Sequence, residues 1–288
     1  MREWFKYFLV EEGESFYAAK DKTFEQNAKT MAYGRQEGFS SRGEFIKTYY
    51  EENQVRHKKY DEVLKSVLRK DEKVLSIASG RCVSEILLME SGHNITCSDL
   101  DMIGKVKELF PELHFVRYDV TKGPFPDTRF DTILAIQLFY LFDQTQLEDI
   151  LRNLKSSLKT GGRLIVDISG AQDNFLTYVI DNCIGWYEAH LKGFVLKFFK
   201  KRRLRVKKKH HGFRYTDKEF VTLVEKAGFK FSQVYRADYR TELERSYIIR
   251  RLAGLGKIFR GLIEFMGQAV PYLRIFIFEK NHESDRGN

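Results

Sequence analysis

Between residues 73 and 168 short apolar runs alternate with amphipathic stretches. The runs at 73–78, 94–98, 114–118, 131–135 and 163–168 are of strand length and bounded by turn residues, so strands are expected there. Between them the spacing predicts helices around Val83–Glu90, closed by Gly92, and near Met102–Phe110, stopped by Pro111. A third helix is expected near Gln144–Leu158, ended by Gly161-Gly162, which tolerate left-handed backbone. Strands alternating with helices imply a parallel sheet. Further on, Thr216-Asp217-Lys218-Glu219 fits a capping box. It opens a helix with Phe220, Leu223 and Val224 on one face, stopped by Gly228, and strands are expected at 229–235 and 273–279.

The flanking segments have other patterns. Residues 1–70 mix aromatic and charged side chains and are expected to be mostly helical. Within Tyr49–Lys70, Val55, Tyr60, Val63, Leu64 and Val67 leave the charges to one face, as in an amphipathic helix. This divides the chain into an N-terminal helical segment, 1–70, expected to cap the domain that follows, and that domain at 71–288 with insertions at 170–212 and 237–270.

Residues 191–209 run from aromatic and aliphatic to densely basic, which suits either a solvated face or a clamp for phosphate or anionic lipid. Ile248, Leu252, Leu255, Phe259, Leu262 and Met266 recur at helical steps, with Arg250, Lys257 and Arg260 mostly on the opposite side. Such a helix packs on a core or a partner subunit, or lies in a membrane interface. Glycines at 254, 256, 261 and 267 lower its helix propensity.

With 288 residues, 43% of them hydrophobic, the chain can bury a sizeable core. Its net charge of +9 suits an anionic partner. Cys82, Cys97 and Cys183 are odd in number and lack metal-ligand spacing, which favours a cytoplasmic protein over a disulfide framework, and no metal site is expected. The first residues lack a long apolar core and a cleavage site, so no secretory signal is expected. No stretch approaches the ~20 apolar residues that a spanning helix needs.

The turn after the first strand of the alternating region, Ala78-Ser79-Gly80, is built of small residues that let backbone amides approach a ligand. Asp99, with Asp101 as the alternative, ends the next strand, where a carboxylate can accept from both ribose hydroxyls. Asp119 ends the third. In this order the pieces resemble the class I S-adenosylmethionine-dependent methyltransferases, roughly over 73–168 and more weakly over 213–280.

Val74–Gly80 stands where that family has a strand, an acid and a Gly-x-Gly-x-Gly turn. Asp99 matches its ribose-binding acid, Asp119-Val120 its adenine-binding pair, and Phe130–Ala135 its fourth strand. Leu158–Leu164 matches a signature before its fifth strand, and Gly212–Thr216 through Phe229 its late helix. The resemblance implies an α/β fold: a Rossmann-like, seven-stranded, mostly parallel sheet with helices on both faces, here with an N-terminal helical segment and lid insertions. It implies S-adenosyl-L-methionine as cofactor, contacted by Ala78, Ser79, Gly80, Asp99, Leu100, Asp119, Val120 and Ile136, with Arg56 or His57 meeting its carboxylate. The chain departs from the family at Ser76, where an acid is usual, and at Ala78 and Cys82, which replace glycines. Loss of the cofactor with the fold kept as a scaffold is the alternative those departures raise.

The acceptor is less legible. The Asn/Asp-Pro-Pro-aromatic run of amino-methylating nucleic-acid enzymes is replaced by Ala135-Ile136-Gln137-Leu138-Phe139-Tyr140, which disfavours that chemistry, with RNA methylation kept as an alternative. Candidate catalytic residues are Gln137 and Tyr140, and His210 and His211, which have the side-chain type best suited to a base. Two basic, apolar insertions at the carboxyl ends of strands favour an acceptor with an anionic and an apolar part. A small molecule, a glycan or a lipid-linked acceptor would qualify, as would an anionic membrane surface that holds the protein peripherally, and a homodimer is left open.

Overall fold

The computed structural model describes residues 1–11, 41–47, 54–100, 104–126, 129–200 and 204–281. In chain order the elements begin β1 (Arg2–Glu11), α1 (Arg42–Ile46), α2 (Gln54–Val67), β2 (Lys73–Ile77), α3 (Val83–Glu90), β3 (Asn94–Asp99), α4 (Gly104–Leu109) and β4 (Phe115–Arg117). They continue β5 (Phe130–Ile136), α5 (Gln144–Ser157), β6 (Leu158–Asp167), α6 (Phe175–Tyr178), α7 (Gly185–Lys200), β7 (Leu204–Arg214) and α8 (Asp217–Lys226). Last come β8 (Phe229–Ala237), α9 (Thr241–Glu244), α10 (Tyr247–Gly254), α11 (Lys257–Gly267) and β9 (Leu273–Lys280). The described residues fall into two compact units, one drawn from 24–168, 221–235 and 274–288, the other from 1–23, 169–220 and 236–273.

The first, the sheet unit, holds the seven-stranded sheet in the order β4-β3-β2-β5-β6-β9-β8. Strands β2 to β6 pair in parallel, and β9 runs antiparallel to β6. The apolar runs become its core because both faces of a parallel sheet are covered by helices: Val74, Leu75, Ile133, Leu134, Leu164 and Val166 are all buried. Asp131 fastens its amino-terminal edge, accepting from the Lys73 amide at 2.9 Å and from Lys159 Nζ at 2.8 Å.

The expected elements are present with small shifts. In α2, Tyr60, Leu64 and Val67 are buried as the periodicity requires. The Thr216 capping box forms, with the Thr216 amide donating to Glu219 Oε2 and the Glu219 amide to Thr216 Oγ1. Gly161-Gly162 does something other than end a helix. α5 stops at Ser157, and the glycines lie within β6, where the register with β5 jumps from Leu158 to Arg163. Gly161 has φ 70°, and a Cβ on Gly162 would lie 2.9 Å from the Lys159 carbonyl oxygen.

The second, the strand-pair unit, corrects the start of the reading of residues 1–70 as mostly helical, while Arg42–Ile46 and Gln54–Val67 are helices as expected. Arg2–Glu11 is a strand, antiparallel to β7. Helical spacing was a poor guide because Trp4, Phe5, Tyr7 and Phe8 are strand formers awaiting a distant partner. That partner is the basic run, so Leu204–Lys209 is strand. Lys208 Nζ lies 4.6 Å from the Phe5 ring centroid, and cation–π attraction offsets the crowding of lysines.

The periodic stretch from Ile248 to Met266 is also two helices. They break at Gly256, whose φ of 159° and ψ of 174° suit glycine. The apolar stripe faces solvent, not a core: Leu255, Phe259 and Leu262 are exposed, with Ile258 at 87% and Phe265 at 71%. Gly267 is required by packing, since a Cβ there would lie 1.4 Å from the Tyr239 carbonyl oxygen.

Candidate active site

The parallel strands line up their carboxyl ends along one edge of the sheet unit. In strand order that edge carries Asp119 just past β4, Asp99 ending β3, the 78–82 turn after β2, Gln137 after β5 and Asp167 ending β6. This is the edge where open α/β sheets bind ligands.

The turn is tied down by short side chains. The Ser79 amide donates to the Ser98 carbonyl at 3.0 Å, Ser79 Oγ donates to the Ser76 carbonyl at 3.0 Å, and the Ser98 amide donates to Ser79 Oγ at 3.2 Å. Ala78, Gly80 and Cys82 have φ of 53°, 55° and 54°. The left-handed backbone that glycines would adopt is therefore kept at the two positions where glycine is replaced, at a cost of about 1–2 kcal/mol per non-glycine residue. Cys82 is buried, its thiol 3.8 Å from the Gly80 carbonyl.

Asp99 closes the turn. Its Oδ2 accepts from the Gly80 amide at 2.8 Å and its Oδ1 from the Leu100 amide at 2.7 Å. The carboxylate is thus aimed by backbone, through one hydrogen bond to each oxygen. A Cβ on Gly80 would meet nothing within 4 Å among the described residues, so the turn is open at that position. Asp119 Oδ1 accepts from the Thr121 amide and hydroxyl, at 3.0 and 2.6 Å, and its Oδ2 lies 3.6 Å from Lys122 Nζ. Val120 is buried beside it.

Two carboxyl groups of this unit escaped the sequence reading. Ser76, where an acid was expected, donates to Glu85 Oε1 at 2.6 Å. A carboxyl therefore does stand against this strand, supplied from α3, and burial pushes it above the ordinary glutamate range. The sequence signal was an acid inside the apolar run Val83–Leu88. Asp167 is buried and faces Ile136 in register, while its carbonyl accepts from the Gln137 amide at 2.9 Å. Its signal was an acid closing an apolar strand. Gln137 has φ 53°, and Tyr140 sits in the short 3₁₀ turn Phe139–Leu141, half-buried.

Arg56 and His57 are in α2, with side chains outside the described part of the structure, and Asp101 lies outside the described residues. A cavity of about 760 Å³ lies between Arg129, Lys155, Lys226 and Lys280, away from the edge that carries Asp99, and holds none of the predicted site residues.

His210 and His211 belong to β7 of the strand-pair unit. His210 is exposed, its ring 5.4 Å from that of Phe5. His211, the other candidate base, is half-buried. Burial, then the charges of Lys6, Arg245 and Arg214, lower its pKa to about 3. Its Nε2 lies 2.8 Å from Lys6 Nζ, so a neutral ring accepts from the ammonium. Burial and then Arg245 in turn lower the Lys6 pKa to about 7.

In the unfolded chain these groups titrate near about 6.5 and 10.4. The unfolded state therefore binds more protons from about pH 3 to 6.5 through His211 and from about pH 7 to 10 through Lys6, and stability rises with pH in both windows. Urea titrations of wild type and Lys6→Met should diverge by pH 10, wild type gaining stability above pH 7 that the variant does not. Parallel curves would contradict this.

Residues 74–162 match the family model described as "Methyltransferase domain". The ubiquinone/menaquinone biosynthesis C-methyltransferase UbiE of Azotobacter vinelandii is 35% identical over 112 residues, covering 35% of this chain and 44% of that protein. The chain thus aligns with less than half the length of this curated relative. Among solved structures, the 1,6-didemethyltoxoflavin-N1-methyltransferase of Burkholderia thailandensis aligns over 95% of both chains with a TM-score of 0.50 and 13% identity. PigF with SAH aligns over 91% of this chain and 64% of that one, with a TM-score of 0.52 and 12% identity. The structures agree in fold and the family model in the strand–turn–acid segment. Residues 74–162 are thus similar to the methyltransferase-domain family, and the chain as a whole shares the fold of these solved structures.

Proposed function

We propose that the protein transfers a methyl group from S-adenosyl-L-methionine to a small-molecule acceptor. The observation that carries this reading is the Asp99 carboxylate, aimed by two backbone amides beside an open left-handed turn. It fits a ribose diol, and Asp119 after the neighbouring strand fits an adenine amino group. Bound there, the cofactor supplies an electrophilic methyl on a sulfonium. Asp99 and the turn hold and orient the nucleoside, and Gln137 and Tyr140 at the next strand end position the acceptor. Much of the acceleration in such a displacement comes from positioning. The Azotobacter relative is named as a quinone-biosynthesis C-methyltransferase, and the part carried over is a small acceptor. Calorimetric titration with S-adenosylmethionine and S-adenosylhomocysteine tests the reading: micromolar binding is expected, and no binding at millimolar ligand would leave a scaffold.

A second observation concerns where the acceptor is met. α7 exposes Phe194, Phe198 and Phe199, and α11 with Leu255 ahead of it exposes Ile258 and Phe265, although no helix among the described residues is long and apolar enough to cross a membrane. Over residues 247–267, Arg250, Arg251, Lys257 and Arg260 outnumber Glu264, a net +3. Exposed apolar side chains interleaved with cations suit an anionic lipid surface, where each cation adds about 1 kcal/mol. We therefore assign this face to peripheral binding of anionic lipid. Vesicles of phosphatidylglycerol should sediment the protein at low salt and phosphatidylcholine vesicles should not, and Ile258→Asp with Phe265→Asp should release it. Equal binding to both vesicles, or a dimer in light scattering that those substitutions dissociate, would reassign the face.

A further inference from the structure

Within the strand-pair unit the buried Trp4 indole is ringed by cations. Arg214 Cζ lies 4.3 Å from its ring centroid, Lys6 Nζ 4.4 Å and Arg245 Cζ 5.1 Å. Two carboxylates face them and both are engaged. Glu242 accepts from Arg214 at 3.1 Å and from Arg245 at 2.9 Å, and Asp181 pairs with Arg214 at 2.9 Å. Among the described residues, Lys6 has no carboxylate at ion-pair distance, and its close partner is neutral His211.

Beside this cluster is a cavity of about 430 Å³ whose lining includes the cations Lys6, Lys192 and Arg245 and the apolar side chains Phe5, Tyr7 and Ile180. Asp181 and Glu188 also line it, but Glu188 Oε1 is taken by Ser246 Oγ at 2.6 Å and the Ile248 amide at 2.9 Å. The volume is in the range of small-molecule sites, about 300–1,000 Å³.

The geometry points to a binding site for a small molecule with an apolar or aromatic body and one oxyanion, carboxylate or phosphate, held by Lys6 with Arg245 and Lys192. Apolar side chains and cations around one cavity, with Lys6 lacking a carboxylate at ion-pair distance among the described residues, select such a ligand, because its anion would partner that lysine. The groups facing Lys6 are His211 and Arg214 with Lys209 from β7, Asp181 from the π-helical turn Val179–Ile184, and Glu242 and Arg245 from α9 and the residue after it. Occupancy would return Lys6 toward its charged form. The site stands independently of the methyl-transfer reading, since all its residues belong to the strand-pair unit.

The full-length chain carrying Trp186→Phe leaves Trp4 as the sole tryptophan reporter. Benzoate and phenyl phosphate should change its fluorescence saturably at concentrations on the order of millimolar. Inorganic phosphate should bind about tenfold more weakly for want of an apolar body. Lys6→Met and, on the exposed rim, Lys192→Met should each weaken benzoate about tenfold, as loss of a charge-assisted contact predicts. Lys6→Met removes a half-buried charge and should fold, and S-adenosylmethionine titration of the same proteins reports the other site separately. A response matched by sodium chloride at equal ionic strength, equal binding of inorganic phosphate and benzoate, or unchanged affinity in both lysine variants would overturn the assignment. Preference for benzoate over phenyl phosphate would identify a carboxylate ligand, and the reverse a phosphate, each in support.

Discussion

Asp99→Ala is expected to weaken S-adenosylmethionine binding by about a hundredfold with the fold retained. Two ribose hydroxyls donating to a carboxylate are worth about 1.5 kcal/mol each at the low end for charged acceptors, which sums to that factor. The substitution also leaves the Gly80 and Leu100 amides without the carboxylate that accepts from them, loosening a turn whose Ala78 and Cys82 already hold strained backbone. Asp99→Asn keeps one acceptor oxygen and should fall between. Calorimetric titration with circular dichroism on each variant reads both consequences. Wild-type affinity in folded Asp99→Ala would remove Asp99 from the site and the central support of the proposed activity with it.

Arg214→Ala is expected to cost about 3–5 kcal/mol of stability, the range for breaking a buried ionic group from one side. Arg214 is fully buried, pairs with Asp181 and Glu242, and donates through Nη1 to the Gln172 carbonyl at 2.7 Å. Alanine leaves two carboxylates sharing Arg245 and a cavity beside Trp4. Burial already pushes the Asp181 carboxyl above the ordinary aspartate range, against the pull of Arg214. Without the guanidinium it should protonate more readily still, so the deficit should be largest at neutral pH and shrink as pH falls. Urea unfolding at pH 7 and pH 5 measures this, and Glu242→Gln added to Arg214→Ala should restore part of the loss. A deficit below about 1 kcal/mol would place Arg214 among weakly coupled surface charges.

The sheet and the acids along its carboxyl edge were legible because they are built from local signals. Each strand of the 73–168 region is a short apolar run, each helix has a periodic face, and Asp99 and Asp119 follow strands directly, so position along the chain translates into position on the edge. Ala78 and Cys82 looked like defects in the turn, yet the backbone keeps its left-handed path through both. The neighbouring contacts, Ser79 to Ser98 and Gly80 to Asp99, override the local preference of two residues.

The strand-pair unit was not legible for the opposite reason. β1 finds its partner about two hundred residues away, and pairing at that separation leaves no periodic trace. The basic run, which alone suggests a solvated face, becomes a strand because Phe5 and Tyr7 lie beside its lysines. His210 and His211 are adjacent in sequence, but one is exposed and the other has its pKa lowered by burial and then by neighbouring cations. The stripe from Ile248 to Met266 was read correctly as apolar spacing, but amphipathicity does not say which side faces inward. By itself the sequence determined the α/β sheet, its order of elements and the acids at its carboxyl edge, all consequences of local periodicity and turn chemistry. Only the tertiary structure decided which charges are buried together, which apolar stripe is left outside and which strand closes on the amino terminus, because those depend on partners that the chain brings together from far apart.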